Sequence, residues 1–369
     1  MKISEIAEAI EQIAPLKLAQ SWDNVGLLIG NPKKQIKKIL MTIDITKDVL
    51  AEAKQFKADM ILSYHPTIWD GLKKVTAGGE GDIVYQLVRA DIAVFAIHTA
   101  LDAAVGGVND GLAELVGITE AKPIGDYVAN PTGDMYKLVV FVPKNSLDKV
   151  SAAIFKAGAG HIGNYSNCGF GMTGLGSFKP LAGAQPAIGV VGRKEYVEEV
   201  RFETIVPAHL LGEVVGTMKK THPYEEPAFD VFKISDTEKF GLGRMGELAK
   251  PLTVKQIIAA IKRKTSAKAV GIIGNANRKV KTAAVCAGSC GKIINSVMAA
   301  KCDLYVTGEL KHHQAIAAQE AGLCCLCLSH SVSERFILKK LAQRLQKLVK
   351  TVTIRISNKD ADPFLWKNI

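Results

Sequence analysis

No stretch of this 369-residue chain approaches the roughly 20 uninterrupted apolar residues that a membrane-spanning helix requires. Its longest apolar runs are of strand length and end in charge or glycine, so no membrane association is expected. The opening Met1-Lys2-Ile3-Ser4-Glu5-Ile6-Ala7-Glu8 carries acids where a secretory signal needs a positive start and an apolar core, which points to a cytoplasmic protein. Low complexity is absent too: 48% hydrophobic and 22% charged residues exclude a disordered or collagen-like chain. Cys324 and Cys327 have C-x-x-C spacing, but no second pair exists to complete a zinc site. The seven cysteines are therefore expected as reduced thiols, with the three at 324–327 packed in a core. Acids are scarce in one region only. Residues 251–369 hold 20 Lys and Arg against 6 Asp and Glu, whereas the first 250 hold 27 against 30, so the net charge of +11 belongs to the last third.

What is present is alternation. Ile3, Ile6, Ile10 and Ile13 step by three and four, with Ser4 as a cap and Pro15 as a stop, which predicts a helix over 4–14. Strand-length runs follow at Ile39–Ile43, Met60–Ser63 and Ile92–Ile97, and again at Thr282–Ala287, Asp303–Thr307, Leu323–Leu328 and Val352–Ile356, with helical periodicity between them. That alternation predicts an α/β fold with a mostly parallel sheet covered by helices on both faces. The middle differs, with nine glycines between Gly158 and Gly189. Around them the order strand 136–142, helix 146–157, glycine-rich segment, strand 199–206, helix 208–220, strand 228–234 predicts a ferredoxin-like βαββαβ domain, if the glycine-rich segment supplies one strand. The expected organisation is an α/β core in two halves, 1–125 and 241–369, split by an insert at 126–240.

The basic C-terminal third invites a nucleic-acid reading. Leu338, Leu341, Leu345 and Leu348 form an apolar stripe among Arg335, Lys339, Lys340, Arg344 and Lys347, the pattern of an amphipathic helix that buries leucines and solvates cations. No aromatic interleaves with the cations along Lys339–Lys350, so nucleic-acid binding ranks last among the readings. Gly288-Ser289-Cys290-Gly291-Lys292 follows a strand and has backbone N–H groups to offer a phosphate, yet it lacks the upstream glycine and the Ser or Thr of a P-loop. His222 with Glu225 and Glu226 reads better as turn structure than as a metal site.

Position singles out three of the eight histidines. Ligands of open α/β sheets bind beyond the carboxyl ends of strands, and that is where Tyr64-His65-Pro66, His98-Thr99-Ala100-Leu101-Asp102 and His330-Ser331-Val332-Ser333-Glu334 stand. If the last segment is helical, His330 and Glu334 share a face at i and i+4. Imidazoles and carboxylates together suit zinc, manganese or iron, and a carboxylate can bridge two such ions.

These motifs, with Gln20–Gly30 (QSWDNVGLLIG) and Thr307-Gly308-Glu309-Leu310-Lys311-His312-His313, resemble the Nif-three-like dinuclear-metal proteins, also catalogued as type 2 homologues of GTP cyclohydrolase I. In the middle, Gly160-His161-Ile162-Gly163-Asn164-Tyr165 and His222-Pro223-Tyr224-Glu225-Glu226-Pro227 resemble the PII-like or CutA-like domain of longer members. The resemblance implies two divalent ions per chain, with His65 and Asp102 on one, His330 on the other and Glu334 bridging, in a toroidal homohexamer. Tyr64 stands where many members have a second His, and a phenol is a poorer ligand than imidazole, so the second ion is expected to be weak or missing. His98 is either a substitute ligand or the residue that orients Asp102. Asp23 and Asn24, and Glu309, His312 and His313, are candidates to face the substrate.

The leading expectation is a metal-dependent hydrolase acting on a nucleotide or another small anionic, phosphorylated molecule. A non-catalytic metal-handling or regulatory scaffold is the alternative, and nucleic-acid binding the second.

Overall fold

The computed structural model describes residues 1–128, 133–163, 165–234, 240–265 and 267–366, so Asn164 of the glycine-rich motif lies outside the described residues. The chain divides into two units, Met1–Ala129 with Lys239–Ile369, and Asn130–Glu238.

In the first segment, α1 (Ile3–Glu11) buries Ile3, Ile6, Ala9 and Ile10. It begins one residue before the expected start because Glu5, not Ser4, closes the first turn by accepting from the Lys2 N–H at 2.8 Å. It is followed by β1 (Gly26–Ile29), β2 (Lys38–Thr42), α2 (Lys47–Phe56), β3 (Met60–Ser63), α3 (Asp82–Arg89), β4 (Ala93–Ala96), α4 (His98–Ala103), α5 (Val108–Val116) and β5 (Ile118–Val128). The three apolar runs of the sequence are β2, β3 and β4. Every residue of β3 and β4 is buried, as expected of strands covered on both faces.

The second unit runs β6 (Met135–Pro143), α6 (Leu147–Lys156), β7 (Gly169–Phe178), β8 (Glu195–Pro207), α7 (Leu211–Thr221) and β9 (Phe229–Lys233). Its sheet is antiparallel throughout, in the order β7-β8-β6-β9. Leu138, Val140, Val142, Phe202 and Val206 of the sheet pack on Val150, Ile154, Val214 and Met218 of the two helices. The glycines of β7 permit close pairing with β8: a Cβ at Gly169 would lie 2.5 Å from the Phe202 ring.

The last segment contains β10 (Phe240–Thr253), α8 (Val254–Lys264), β11 (Gly271–Ile273), β12 (Lys279–Cys286), α9 (Ile293–Ala299), β13 (Leu304–Thr307), α10 (His312–Glu320), β14 (Cys324–Cys327), α11 (His330–Arg335), α12 (Ile337–Leu348) and β15 (Thr353–Ile356). The first unit therefore has two sheets, β1-β4-β3-β2-β15 and β11-β14-β13-β12-β10-β5. The first is parallel except at β1. In the second only β12, β13 and β14 run parallel, so the expectation of a mostly parallel sheet holds for the first sheet and not for the second. The long pair β5 and β10 escaped the sequence reading because both mix glycine and charge with apolar residues. Gly243 and Gly246 allow the close approach, since a Cβ there would meet Ile124 O at 2.9 Å and Thr119 O at 2.8 Å. The halves also exchange strands: β15 joins the sheet of the first segment and β5 that of the last.

On α12, Ile337, Leu338, Leu341 and Leu345 are buried, while Leu348 is exposed, contrary to expectation. Two of its cations have partners within the chain: Lys340 pairs with Glu114 at 2.8 Å and Arg344 donates to Gly106 O at 2.8 Å. No helix among the described residues is long and apolar enough to cross a membrane.

Candidate metal centre

Parallel pairing continues a step beyond the strands and fixes the residues that follow them. Tyr64 N–H donates to Thr42 O (2.9 Å), His65 N–H to Ile43 O (3.0 Å) and His98 N–H to Tyr64 O (2.9 Å). In the other sheet Glu309 N–H donates to Gly288 O (3.2 Å) and Ser329 N–H to Gly308 O (3.0 Å). The chain ends of β2, β3 and β4 thus present Asp44, His65 and His98, and those of β12, β13 and β14 present Gly288, Glu309 and His330. Ser329 adopts φ +75°, a conformation non-glycine residues seldom take, and its hydroxyl donates to Asp362 at 2.9 Å as it turns the chain into α11.

His65, His330 and Glu334 offer ligand atoms that all lie within 4.8 Å of one another. Glu334 is 2% exposed. Its Oε1 lies 3.2 Å from His330 Nε2, and its Oε2, 3.7 Å from His65 Nε2, is buried without a hydrogen-bond partner. A buried carboxylate oxygen left unpaired is costly unless something electropositive occupies the space before it. Gly288 leaves room for the other oxygen and for His330: its φ is +69°, and a Cβ there would sit 2.6 Å from Glu334 Oε1 and 3.5 Å from His330 Nε2. Two imidazoles and a carboxylate suit a borderline divalent cation, so the residues fit one.

Each imidazole is oriented by a carboxylate on its other nitrogen. His65 Nδ1 meets Asp44 Oδ1 at 2.9 Å, His330 Nδ1 meets Glu309 Oε1 at 3.0 Å and His98 Nδ1 meets Asp23 Oδ1 at 3.0 Å. This arrangement leaves Nε2 of His65 and of His330 available as a ligand atom. Burial disfavours the His65 cation, but the Asp44 hydrogen bond and the Glu334 charge outweigh it and raise its pKa. The Glu334 hydrogen bond, working against burial, lifts His330 to about 10. Asp102, outside the three-residue group, is pushed up to about 6 by burial.

Asp102 accepts a hydrogen bond from the Tyr64 hydroxyl, and Tyr64 is itself fully buried. The Tyr64 hydroxyl thus holds Asp102, and the His98 ring, engaged by Asp23 at Nδ1, lies close enough to Asp102 for its charge to act on that carboxyl. Asp23 also accepts from the Thr99 N–H (3.0 Å) and hydroxyl (2.5 Å), and Asn24 donates to Ile68 O at 2.7 Å. Neither Asp23 nor Asn24 lines the cleft.

That cleft, of about 800 Å³, is lined by His65, His98, Asp102, Glu309, His330 and Glu334, together with Trp22, Asp44, Trp69, Lys292 and Lys311. Glu309 lines it while holding His330. His312 and His313 begin α10, are exposed, and are not among its lining residues. Sequence reasoning missed Asp44, although it follows the apolar run of β2 as His65 follows that of β3. Cys286 and Cys290 stand side by side, and Cys290 lines the same cleft. The turn at Gly288 doubles the chain back and brings their Cα atoms to 6.1 Å.

Residues 1–363 match the model of the family described as Duf34/NIF3 (NGG1p interacting factor 3). The chain is 39% identical over 368 residues to a Bacillus subtilis protein named GTP cyclohydrolase 1 type 2 homolog, covering 98% of each. It is 38% identical over 322 residues to one of the same name from Mycobacterium tuberculosis, covering 85% of this chain and 83% of the other. Among solved structures it resembles a Bacillus cereus protein related to NIF3, with TM-score 0.79, 36% identity and 100% and 99% of the two chains covered. Staphylococcus aureus protein SA1388 follows, with TM-score 0.85, 29% identity and the same coverage.

Proposed function

The chain belongs to the Duf34/NIF3 family, and from that premise we propose that its cleft is the divalent-metal centre of a hydrolase for a nucleotide or another phosphorylated small molecule. The observation that carries the reading is the unpaired, buried Oε2 of Glu334 between two imidazoles already oriented through their Nδ1 atoms. His65, His330 and Glu334 would hold an ion of zinc, manganese or iron, with Asp102 as a further carboxylate beside it. When bound, such an ion supplies Lewis-acid polarisation and a more acidic water. The remaining work falls to the protein. Asp44 and Glu309 hold the rings at a fixed angle, and Tyr64 holds Asp102. Lys292 and Lys311 give an anionic group somewhere to bind, and the indoles of Trp22 and Trp69 offer flat apolar surface to the uncharged part of a substrate.

Opening of the GTP ring, after the name that the relatives carry, is the narrowest form of this proposal. A second ion on Asp102, a toroidal homohexamer, a cytoplasmic location and the reading of 126–240 as a ferredoxin-like, PII-like insert between core halves 1–125 and 241–369 complete it. The βαββαβ order and the strand order β7-β8-β6-β9 support the insert reading.

The test is metal content by elemental analysis in the native protein and in His65→Ala and His330→Ala, with turnover measured on a panel of nucleotides, phosphodiesters and phosphomonoesters. Bound metal lost in both variants, with turnover of at least one substrate, is the expected result. Native metal content in both variants removes the site. Metal bound without any turnover leaves a metal-handling scaffold instead of a hydrolase.

A further inference from the structure

The second unit contains a pocket of about 230 Å³ between the end of β7, the loop after it and the segment that follows α7. Phe178, Pro180, Pro186 and Ile188 supply its apolar wall, and Glu199 and Tyr224 its polar end. Glu199 lies on β8, and its carboxylate rests where a side chain at residue 176 would stand: a Cβ on Gly176 would be 2.0 Å from Oε2. Among the described residues no cation pairs with it, although it is half-buried. Beside it the Tyr224 hydroxyl is buried against the Glu199 carboxylate. Burial, then the hydrogen bond to Glu199 and its charge, pushes that phenol up to about 12, so it stays a neutral donor and acceptor.

The surroundings are held in place. Tyr224 N–H donates to His222 Nδ1 at 3.1 Å, His222 Nε2 bonds Phe141 O at 3.0 Å, and the Tyr224 ring packs on Phe178 at 5.8 Å between centroids. Glu225 accepts from the Gln185 N–H at 3.1 Å, which ties the loop to this segment. The pocket thus has an apolar body, with Lys179 on its wall, ending in a carboxylate that makes no ion pair among the described residues and a tyrosine hydroxyl beside that carboxylate. Its carboxylates form no three-ligand group among the described residues, which favours an organic cation over a metal ion.

We propose that this pocket binds a small organic amine, its ammonium donating to Glu199 and Tyr224 and its hydrocarbon body lying against Phe178, Pro180 and Ile188. The proposal is independent of the metal centre in the other unit. Calorimetric titration of the full-length protein with benzylamine, isoamylamine and agmatine, and with benzyl alcohol as the neutral counterpart, tests it. At least one amine binds saturably, and benzyl alcohol binds at least about tenfold more weakly than benzylamine if the charge is what is recognised. Glu199→Gln weakens amine binding about tenfold or more, and Tyr224→Phe weakens it about threefold to tenfold. Treatment with a chelator leaves amine binding unchanged. Failure of every amine to bind, equal binding of benzyl alcohol, or native affinity in Glu199→Gln overturns the proposal. The comparison of amine with alcohol uses the native protein, so it stands even if a variant folds poorly.

Discussion

Gly288→Ala tests the metal centre through a residue that is not itself a ligand. Two costs arise, and they can be separated. The backbone at 288 has φ +69°, where an L side chain costs about 1–2 kcal/mol. The new Cβ would also lie 2.6 Å from Glu334 Oε1, where ordinary contact begins at 3.4 Å, so the carboxylate must retreat by about 0.8 Å. Coordination tolerates only about 0.2 Å of error in a ligand distance. Affinity for manganese or zinc should therefore fall about 10–100-fold, the scale on which misplaced ligand supports act. Gly117→Ala is the control: φ there is +91°, yet nothing lies within 4 Å of the added Cβ. It should lose a similar 1–2 kcal/mol in urea denaturation, roughly the left-handed backbone cost alone, and keep its affinity for the ion. Calorimetric titration of the ion into both variants reads the difference. Native affinity in Gly288→Ala would refute the reasoning, because Glu334 could not then be coordinating where the structure places it.

Three further outcomes are expected. Arg244 is buried and bonds the Asp110 carboxylate and the carbonyls of Gly241, Gly243, Ala103 and Ala104, so Arg244→Met should cost about 3–5 kcal/mol in denaturant, and a neutral effect would show that these bonds are not made in solution. Tyr64→Phe removes the hydroxyl that donates to Asp102 and should cost about 1–3 kcal/mol without removing any group of the three-residue cluster; unchanged thermal stability would contradict that hydrogen bond. Burial holds the His222 pKa below its ordinary 6.5, so the unfolded chain takes up the proton first. Its contribution to stability is complete above pH 6.5 and is lost as the pH falls through the lowered folded value. Stability measured across that window in native protein and His222→Asn checks this: a variant with the same pH slope would rule His222 out as the source.

The strands were legible where burial is double-sided. A run such as Met60-Ile61-Leu62 has no solvent face, so composition alone marks β3, and the histidine at its end could be placed from chain order. The same rule applied to Ile39–Ile43 would have found Asp44. The pair β5 and β10 was not legible, because what holds Gly243 and Gly246 against Ile124 and Thr119 is a partner more than a hundred residues away.

By itself the sequence determined the residue types of a candidate metal centre, their order along the chain and their positions at strand ends, because backbone periodicity and the connectivity of α/β units are local properties. Which groups share a hydrogen bond was decided by the tertiary structure. Tyr64 donates to Asp102; Asp23 holds His98 and does not line the cleft; and Glu334 keeps one oxygen free. Those choices depend on distances of about 3 Å between side chains carried by different elements, which only the packing of the strands and helices sets.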